Sequence, residues 1–110
     1  MNYIYFKEYE IVGLEKHLVE MLDNAREYAQ IPFIINSGRR DVKTNEEAGG
    51  VYDSAHLKGL AVDIMCKTSD DRFLIVSSLL QAGFKRIGIG KTFIHCDIDH
   101  TKSQNKIFIE

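Results

Sequence analysis

The sequence lacks the features that mark disulfide-rich, membrane-spanning and nucleic-acid-binding proteins. Two cysteines among 110 residues are too few for a disulfide framework. Cys66 and Cys96 could still pair once, although two reduced thiols are the favoured expectation. No apolar run approaches the roughly 20 residues of a membrane span. The formal net charge is -2 and no block of lysine and arginine stands out, so nucleic-acid binding receives no electrostatic support.

The N-terminal residues also lack the basic segment and following apolar segment of a secretory signal. We therefore expect synthesis in the cytoplasm, and a substrate in the cell wall would be reached after release by lysis or export by another route. A length of 110 residues suits one compact domain and is too short for two. We expect a single domain over residues 1–110, and we expect it to be a monomer.

Helices and strands are interspersed without the regular βαβ rhythm of a parallel sheet. Apolar residues recur at helical spacing over residues 14–30, and His17 lies on the charged, solvated side of that helix. A second helix is predicted over residues 70–81, with Ser69 as its N-cap. Predicted strands cover residues 31–36, 60–66, 86–99 (a glycine-interrupted strand or hairpin) and 106–109, and a long loop covers 37–54. These elements predict an α+β domain with a mainly antiparallel sheet flanked by helices.

Alternation along two predicted strands separates polar from apolar side chains. In the first of them, Asp63 lies on the face opposite to Cys66 and its apolar neighbours. In the second, His95 and Asp97 share one face, and Cys96 points the other way. Both cysteines are therefore interpreted as small buried hydrophobic residues rather than metal ligands.

His56, Asp63 and His95 are candidate metal ligands. His56 precedes the strand of Asp63 by a short turn through Gly59, so the chain can fold both side chains to one point. Two imidazoles and one carboxylate suit zinc and leave a fourth position open for water, as catalytic zinc sites do. Zinc would lower the pKa of that water and polarise a scissile carbonyl. Spacing alone leaves a plain alternative, in which the histidines are ordinary polar residues.

Three segments carry a family resemblance, and they occur in the order SGRR at 37–40, SAHLKGLAVDI at 54–64 and FIHCD at 93–97. They resemble the motifs of the zinc D-alanyl-D-alanine carboxypeptidase superfamily. That group includes the L-alanyl-D-glutamate endopeptidases of phage lysins, and the Hedgehog signalling domain shares its fold. The central serine-x-histidine-x-x-glycine-x-alanine-x-aspartate stretch is specific, and together the motifs span more than half of the chain.

The resemblance implies that His56, Asp63 and His95 bind one zinc ion per chain. It also implies that Arg40 binds the substrate or the developing oxyanion, for which a permanently charged, forked donor is suited. The alternative for Arg40 is a loop arginine in a surface ion pair. Ser54 would hydrogen-bond to the substrate or to a ligand residue, and an ordinary turn serine is an equal alternative.

The general base is where this sequence departs from the family pattern. Many relatives have a glutamate or aspartate three residues before the last zinc histidine, and here that position is Thr92. The sequence resembles a subgroup with a histidine-x-aspartate ending, so Asp97 is predicted to accept the proton of water and pass it to the leaving amine. Asp97 could equally orient a ligand or bind the metal as a fourth ligand. Asp99 and His100 are secondary candidates.

The function implied by the resemblance is that of a zinc metallopeptidase acting on the stem peptides of peptidoglycan, as a D,D-carboxypeptidase or an endopeptidase. A phage or prophage lysis enzyme would fit the missing signal peptide. Two other functions stay open: a catalytically silent zinc-binding module with the same fold, and a metal-free interaction domain. Bound zinc without turnover would favour the silent zinc-binding module, and absence of zinc would favour the metal-free interaction domain.

Overall fold

The structure, a computed structural model, describes residues 3–41, 46–47 and 54–110. Its main elements are a 3-10 helix (Glu8–Glu10), α1 (Lys16–Ala29), α2 (Ser69–Gln81), β1 (Ile35–Ser37), β2 (Ala61–Met65), β3 (Arg86–Ile89), β4 (Phe93–Asp97) and β5 (Lys106–Ile109). Most of the loop predicted over residues 37–54 lies outside the described residues. Neither α1 nor α2 is long and apolar enough to cross a bilayer.

The described strands form one sheet in the order β1-β2-β4-β3-β5. β1 pairs with β2, β2 with β4, and β3 with β4, all antiparallel, whereas β5 lies parallel to β3. The predicted α+β class with a mainly antiparallel sheet is therefore confirmed. The segment predicted as a strand or hairpin over residues 86–99 is a hairpin, with β3 and β4 as its two arms.

One face of the sheet is covered by the helices and holds the apolar core. α1 packs against α2, and side chains from both helices meet apolar side chains of β2, β3 and β4. Cys66 and Cys96 lie in this core as free thiols, as the alternation of the strands predicts. Burial raises the pKa of both thiols. His17 is exposed on α1, also as predicted.

Two predicted boundaries are wrong. The first strand begins at Ile35 rather than at residue 31. Its hydrogen bonds to β2 start only at the carbonyl of Ile34, and the preceding Phe33 packs into the core cluster. The N-cap of α2 is Thr68 rather than Ser69. Thr68 has extended backbone angles, and its hydroxyl oxygen accepts a hydrogen bond from the backbone N–H of Asp71 at 3.1 Å.

Candidate metal centre

The site lies at the middle of the sheet, on the face opposite to the helices. Asp63 in β2 is directly opposed to His95 in β4, and on the other side of His95 the opposed residue is Gly88 in β3. Since directly opposed residues point to the same face, the strand pairing alone brings the Asp63 carboxylate and the His95 imidazole together.

His56 enters the site from a compact turn between residues 54 and 59. The buried hydroxyl of Ser54 accepts a hydrogen bond from the backbone N–H of His56 at 3.2 Å. Gly59 closes the turn with φ of +73°, and a Cβ there would lie 2.3 Å from the carbonyl oxygen of Gly13, so only glycine fits. The Ser54 hydroxyl therefore binds the backbone of a candidate ligand, and since an ordinary turn serine makes the same contact, its role at the site stays a prediction.

The imidazoles of His56 and His95 each have one nitrogen bound to a protein oxygen and the other directed at Asp63. The Nδ1–H of His56 donates to the carbonyl of Gly38 at 2.8 Å, which leaves Nε2 3.4 Å from Asp63 Oδ1. In His95, Nε2 binds Asp97 Oδ2 at 2.7 Å, and Nδ1 lies 3.1 Å from Asp63 Oδ1. Histidines that bind metals are usually held in this way through their second nitrogen.

These three buried residues fit a single metal ion. Their possible ligand atoms all lie within 4.8 Å of one another. Two imidazole nitrogens and a carboxylate oxygen form a donor set that suits zinc. The structure thus brings together His56, Asp63 and His95, which the sequence singled out, and their role as zinc ligands stays a prediction.

Arg40 lies against this cluster. Its Nη2 is 3.2 Å from Asp63 Oδ2, and its Nε donates to the hydroxyl of Ser37 at 2.9 Å. The Arg40 side chain is 14% exposed, so its ion pair with Asp63 is largely buried and is not the surface ion pair of the alternative interpretation. Asp63 consequently turns one carboxylate oxygen to the guanidinium and the other to the two histidines.

Asp97 is held in place by its neighbours. Its Oδ2 accepts from His95 Nε2, its Oδ1 accepts from Arg86 Nε at 2.9 Å, and the same Oδ1 accepts from the backbone N–H of Asp99 at 3.1 Å. Asp97 is 2% exposed, and it binds the ring nitrogen of His95 that points away from Asp63. These contacts favour a role for Asp97 in orienting His95. The predicted role of Asp97 as general base stays untested.

Sequence reasoning missed Arg86, the cation that neutralises Asp97. Its Nη1 also donates to the carbonyl of Ser103 at 2.7 Å, which ties β3 to the segment before β5. The two secondary candidates lie elsewhere. Asp99 is buried, and although burial raises its pKa, hydrogen bonds from Thr101 and Lys58 outweigh this and lower it. His100 is exposed at the end of β4.

The charges of the site stabilise one another in the metal-free protein. Burial alone would raise the pKa of Asp63, but hydrogen bonds from His56 and His95 outweigh it and lower the pKa to about 2. Burial would lower the pKa of His95, but its hydrogen bonds to Asp63 and Asp97 raise it to about 9. At neutral pH His95 of the metal-free site is therefore an imidazolium beside the ionised Asp63 carboxylate.

Metal uptake should therefore release a proton. His95 is protonated below its pKa of about 9, and that proton must leave before Nδ1 can bind a metal. From this group alone, the apparent association constant for zinc should rise about tenfold per pH unit up to that pKa and then level off. Calorimetry at neutral pH in buffers of different ionisation enthalpy measures the protons released. Zinc binding with no proton release would contradict the charged state of His95.

Comparison with known proteins identifies the family and a similar fold. The family model described as Peptidase M15 matches residues 7–97, a range that includes every candidate site residue named from the sequence except Asp99 and His100. The fold is similar to the crystal structure of the Serratia marcescens L-Ala D-Glu endopeptidase ChiX, with a TM-score of 0.69, 23% sequence identity and coverage of 86% of each chain. No curated protein matches the chain significantly.

Proposed function

Because this chain belongs to the Peptidase M15 family, we propose that it is a zinc metallopeptidase that hydrolyses peptide bonds in peptidoglycan stem peptides. One observation carries the proposal: His56 Nε2 and His95 Nδ1 both face Asp63 Oδ1, with Arg40 on the other oxygen of the same carboxylate. The name of the structurally similar enzyme supports a stem peptide as the substrate and an endopeptidase as the activity. A D,D-carboxypeptidase is the other activity that the motifs allow.

His56, Asp63 and His95 would hold the zinc ion, one per chain. Zinc in such a site activates water for attack and polarises the scissile carbonyl. The carbonyl of Gly38 and the carboxylate of Asp97 fix the orientation of the two imidazoles. Outer contacts of this kind typically change metal affinity by about 10- to 100-fold when they are removed.

Arg40 would hold negative charge on the substrate. Its guanidinium lies beside the ligand carboxylate, and the residue lines a groove of about 370 Å³ together with Arg39 and Asp41. An arginine can bind the carbonyl oxygen that gains charge during attack, or a carboxylate of the peptide, with forked hydrogen bonds. Stem peptides contain carboxylates, so the two adjacent arginines match the charge of that substrate class.

The proposal is tested by incubating purified, zinc-supplied protein with defined stem peptides that contain L-Ala–D-Glu and D-Ala–D-Ala bonds. Mass spectrometry of the products identifies the bond that is cut. We expect cleavage of one bond, loss of cleavage after chelation, and recovery when zinc is returned. One zinc per chain without cleavage of any stem peptide would favour the silent zinc-binding module instead.

The silent module is kept as a second function because of a specific observation. Thr92 occupies the usual position of the base, and both oxygens of Asp97 are already bound. For the active enzyme, we propose that the protein reaches the cell wall after release by lysis, as a phage or prophage product would, and that it acts as a monomer.

A further inference from the structure

Within residues 3–41, 46–47 and 54–110, the two carboxylates of the site named so far are both bound to other groups. Hydrolysis of a peptide bond needs a group that takes a proton from water and returns one to the leaving amine. Asp63 binds Arg40 and faces both histidines, and Asp97 binds His95, Arg86 and a backbone N–H. A third carboxylate on the same face of the sheet is therefore of interest.

Glu110 supplies that carboxylate. It follows β5, and its backbone N–H donates to the carbonyl of Ile89 at 3.0 Å, so the residue is fixed to β3. A Cβ at Gly88 would lie 2.7 Å from Oε1 of Glu110 and 2.7 Å from the ring of Phe108. The side chain of Glu110 thus folds back over Gly88 into the space that any other residue there would fill.

This position lies beside His95, one of the three candidate ligands, on the side of His95 away from Asp63. Gly88 is directly opposed to His95, and Cβ positions of directly opposed residues are about 4.5–5.5 Å apart. Oε1 of Glu110, 2.7 Å from the Cβ position of Gly88, therefore lies on the same face of the sheet as His95 and over the neighbouring strand. The ring of Phe108 lies beside both groups, with its centre 5.8 Å from the centre of the His95 ring.

The Glu110 carboxylate also differs from Asp63 and Asp97 in being unengaged. Among the described residues, no side chain or backbone group forms a hydrogen bond or an ion pair with it, and Glu110 is exposed to solvent. Because residue 88 is a glycine, it has no side chain to occupy the position over which Glu110 Oε1 lies, beside His95. An unengaged, solvated carboxylate beside His95 can accept a proton from a water molecule.

We propose that Glu110 is the general base and acid of the reaction, a role that rests on the proposed function. The Glu110 carboxylate takes a proton from water as the water oxygen bonds to the carbonyl carbon. The C–N bond of the peptide then breaks, and the protonated Glu110 gives its proton to the leaving nitrogen. Water and amide become a carboxyl group and an amine, and Glu110 returns to its starting state.

The test compares Glu110→Gln with Glu20→Gln, which makes the same chemical change on an exposed position of α1. Glu110→Gln should lower kcat by about 10²- to 10⁴-fold with little change in KM. It should still bind one zinc per chain and bind the intact stem peptide with the wild-type Kd. A phosphinic analogue of the attacked peptide should bind to Glu110→Gln more weakly than to the wild type, because the analogue resembles the transition state. Glu20→Gln should match the wild type in kcat, KM, zinc content, and binding of the peptide and of the analogue.

Several outcomes would overturn the role of Glu110. These are wild-type kcat in Glu110→Gln, a rise in KM alone, and loss of zinc, which would mean that Glu110 binds the metal. If Asp97→Asn lost turnover at saturating zinc while Glu110→Gln retained it, Asp97 would be the general base instead. In each case an active wild type leaves the proposed function standing. A wild type that cleaves no stem peptide overturns the proposed function and the role of Glu110 together.

Discussion

Replacing His56 with alanine is expected to remove both the bound metal and the peptidase activity of this chain. The change leaves one nitrogen and one carboxylate of the donor set, His95 and Asp63, which is too few for a catalytic zinc site. Since the metal supplies several kcal/mol of transition-state stabilisation, hydrolysis should fall by about 10³-fold or more. Elemental analysis of the purified variant and a stem-peptide assay measure the two effects.

His17→Ala is the matched control, because it removes an exposed imidazole from α1. It should retain about one zinc per chain and the activity of the wild type. If His56→Ala retained stoichiometric zinc, another residue would have to replace the imidazole, and the assignment of the centre would be wrong. If neither the wild type nor the control bound zinc, even when it was supplied, the metallopeptidase function would be excluded.

Replacing Arg40 with alanine should give the next largest loss, about 10²- to 10³-fold in kcat, with zinc retained. The magnitude is that of removing one preorganised donor to a developing oxyanion. Arg40→Lys should recover only part of the activity, because an ammonium keeps the charge but cannot form the forked contact of a guanidinium. Steady-state kinetics with saturating zinc measures kcat and KM for both variants.

Arg39→Ala separates this effect from a general loss of positive charge, since Arg39 is adjacent in sequence and exposed. It should raise KM more than it lowers kcat, because Arg39 lines the groove proposed for the substrate but does not contact the Asp63 carboxylate. A different explanation would follow if Arg40→Ala lost zinc and regained full activity in excess zinc. Arg40 would then serve only to hold Asp63, to which it is joined at 3.2 Å.

Much of the fold could be predicted because it depends on local patterns. Alternation along β2 and β4 correctly assigned Cys66 and Cys96 to the core and Asp63 and His95 to the opposite face. The parallel pairing of β5 with β3 could not be predicted in this way, since alternation within a strand does not determine which strand lies next to it.

The limits of the site prediction have the same physical origin. The pairing of His56 with Asp63 follows from a short turn, whereas His95 was named as the third candidate ligand without a known strand partner, and the family motifs then supported it. The contact of Arg86 with Asp97 depends on β3 lying next to β4, and the position of Glu110 depends on β5 lying next to β3. One signal was present in the sequence: Arg86 and Gly88 alternate with the buried Ile87, which places both on the polar face.

The direct opposition of Asp63 and His95 also protects the sheet against misalignment during folding. A slip of β4 by one residue would turn its histidine and Asp97 into the apolar interior and expose Cys96 and Ile94. Burying those polar groups without their partners would cost several kcal/mol, so the shifted alignment is strongly disfavoured. The side chains proposed for chemistry therefore also select the native strand alignment before any metal binds.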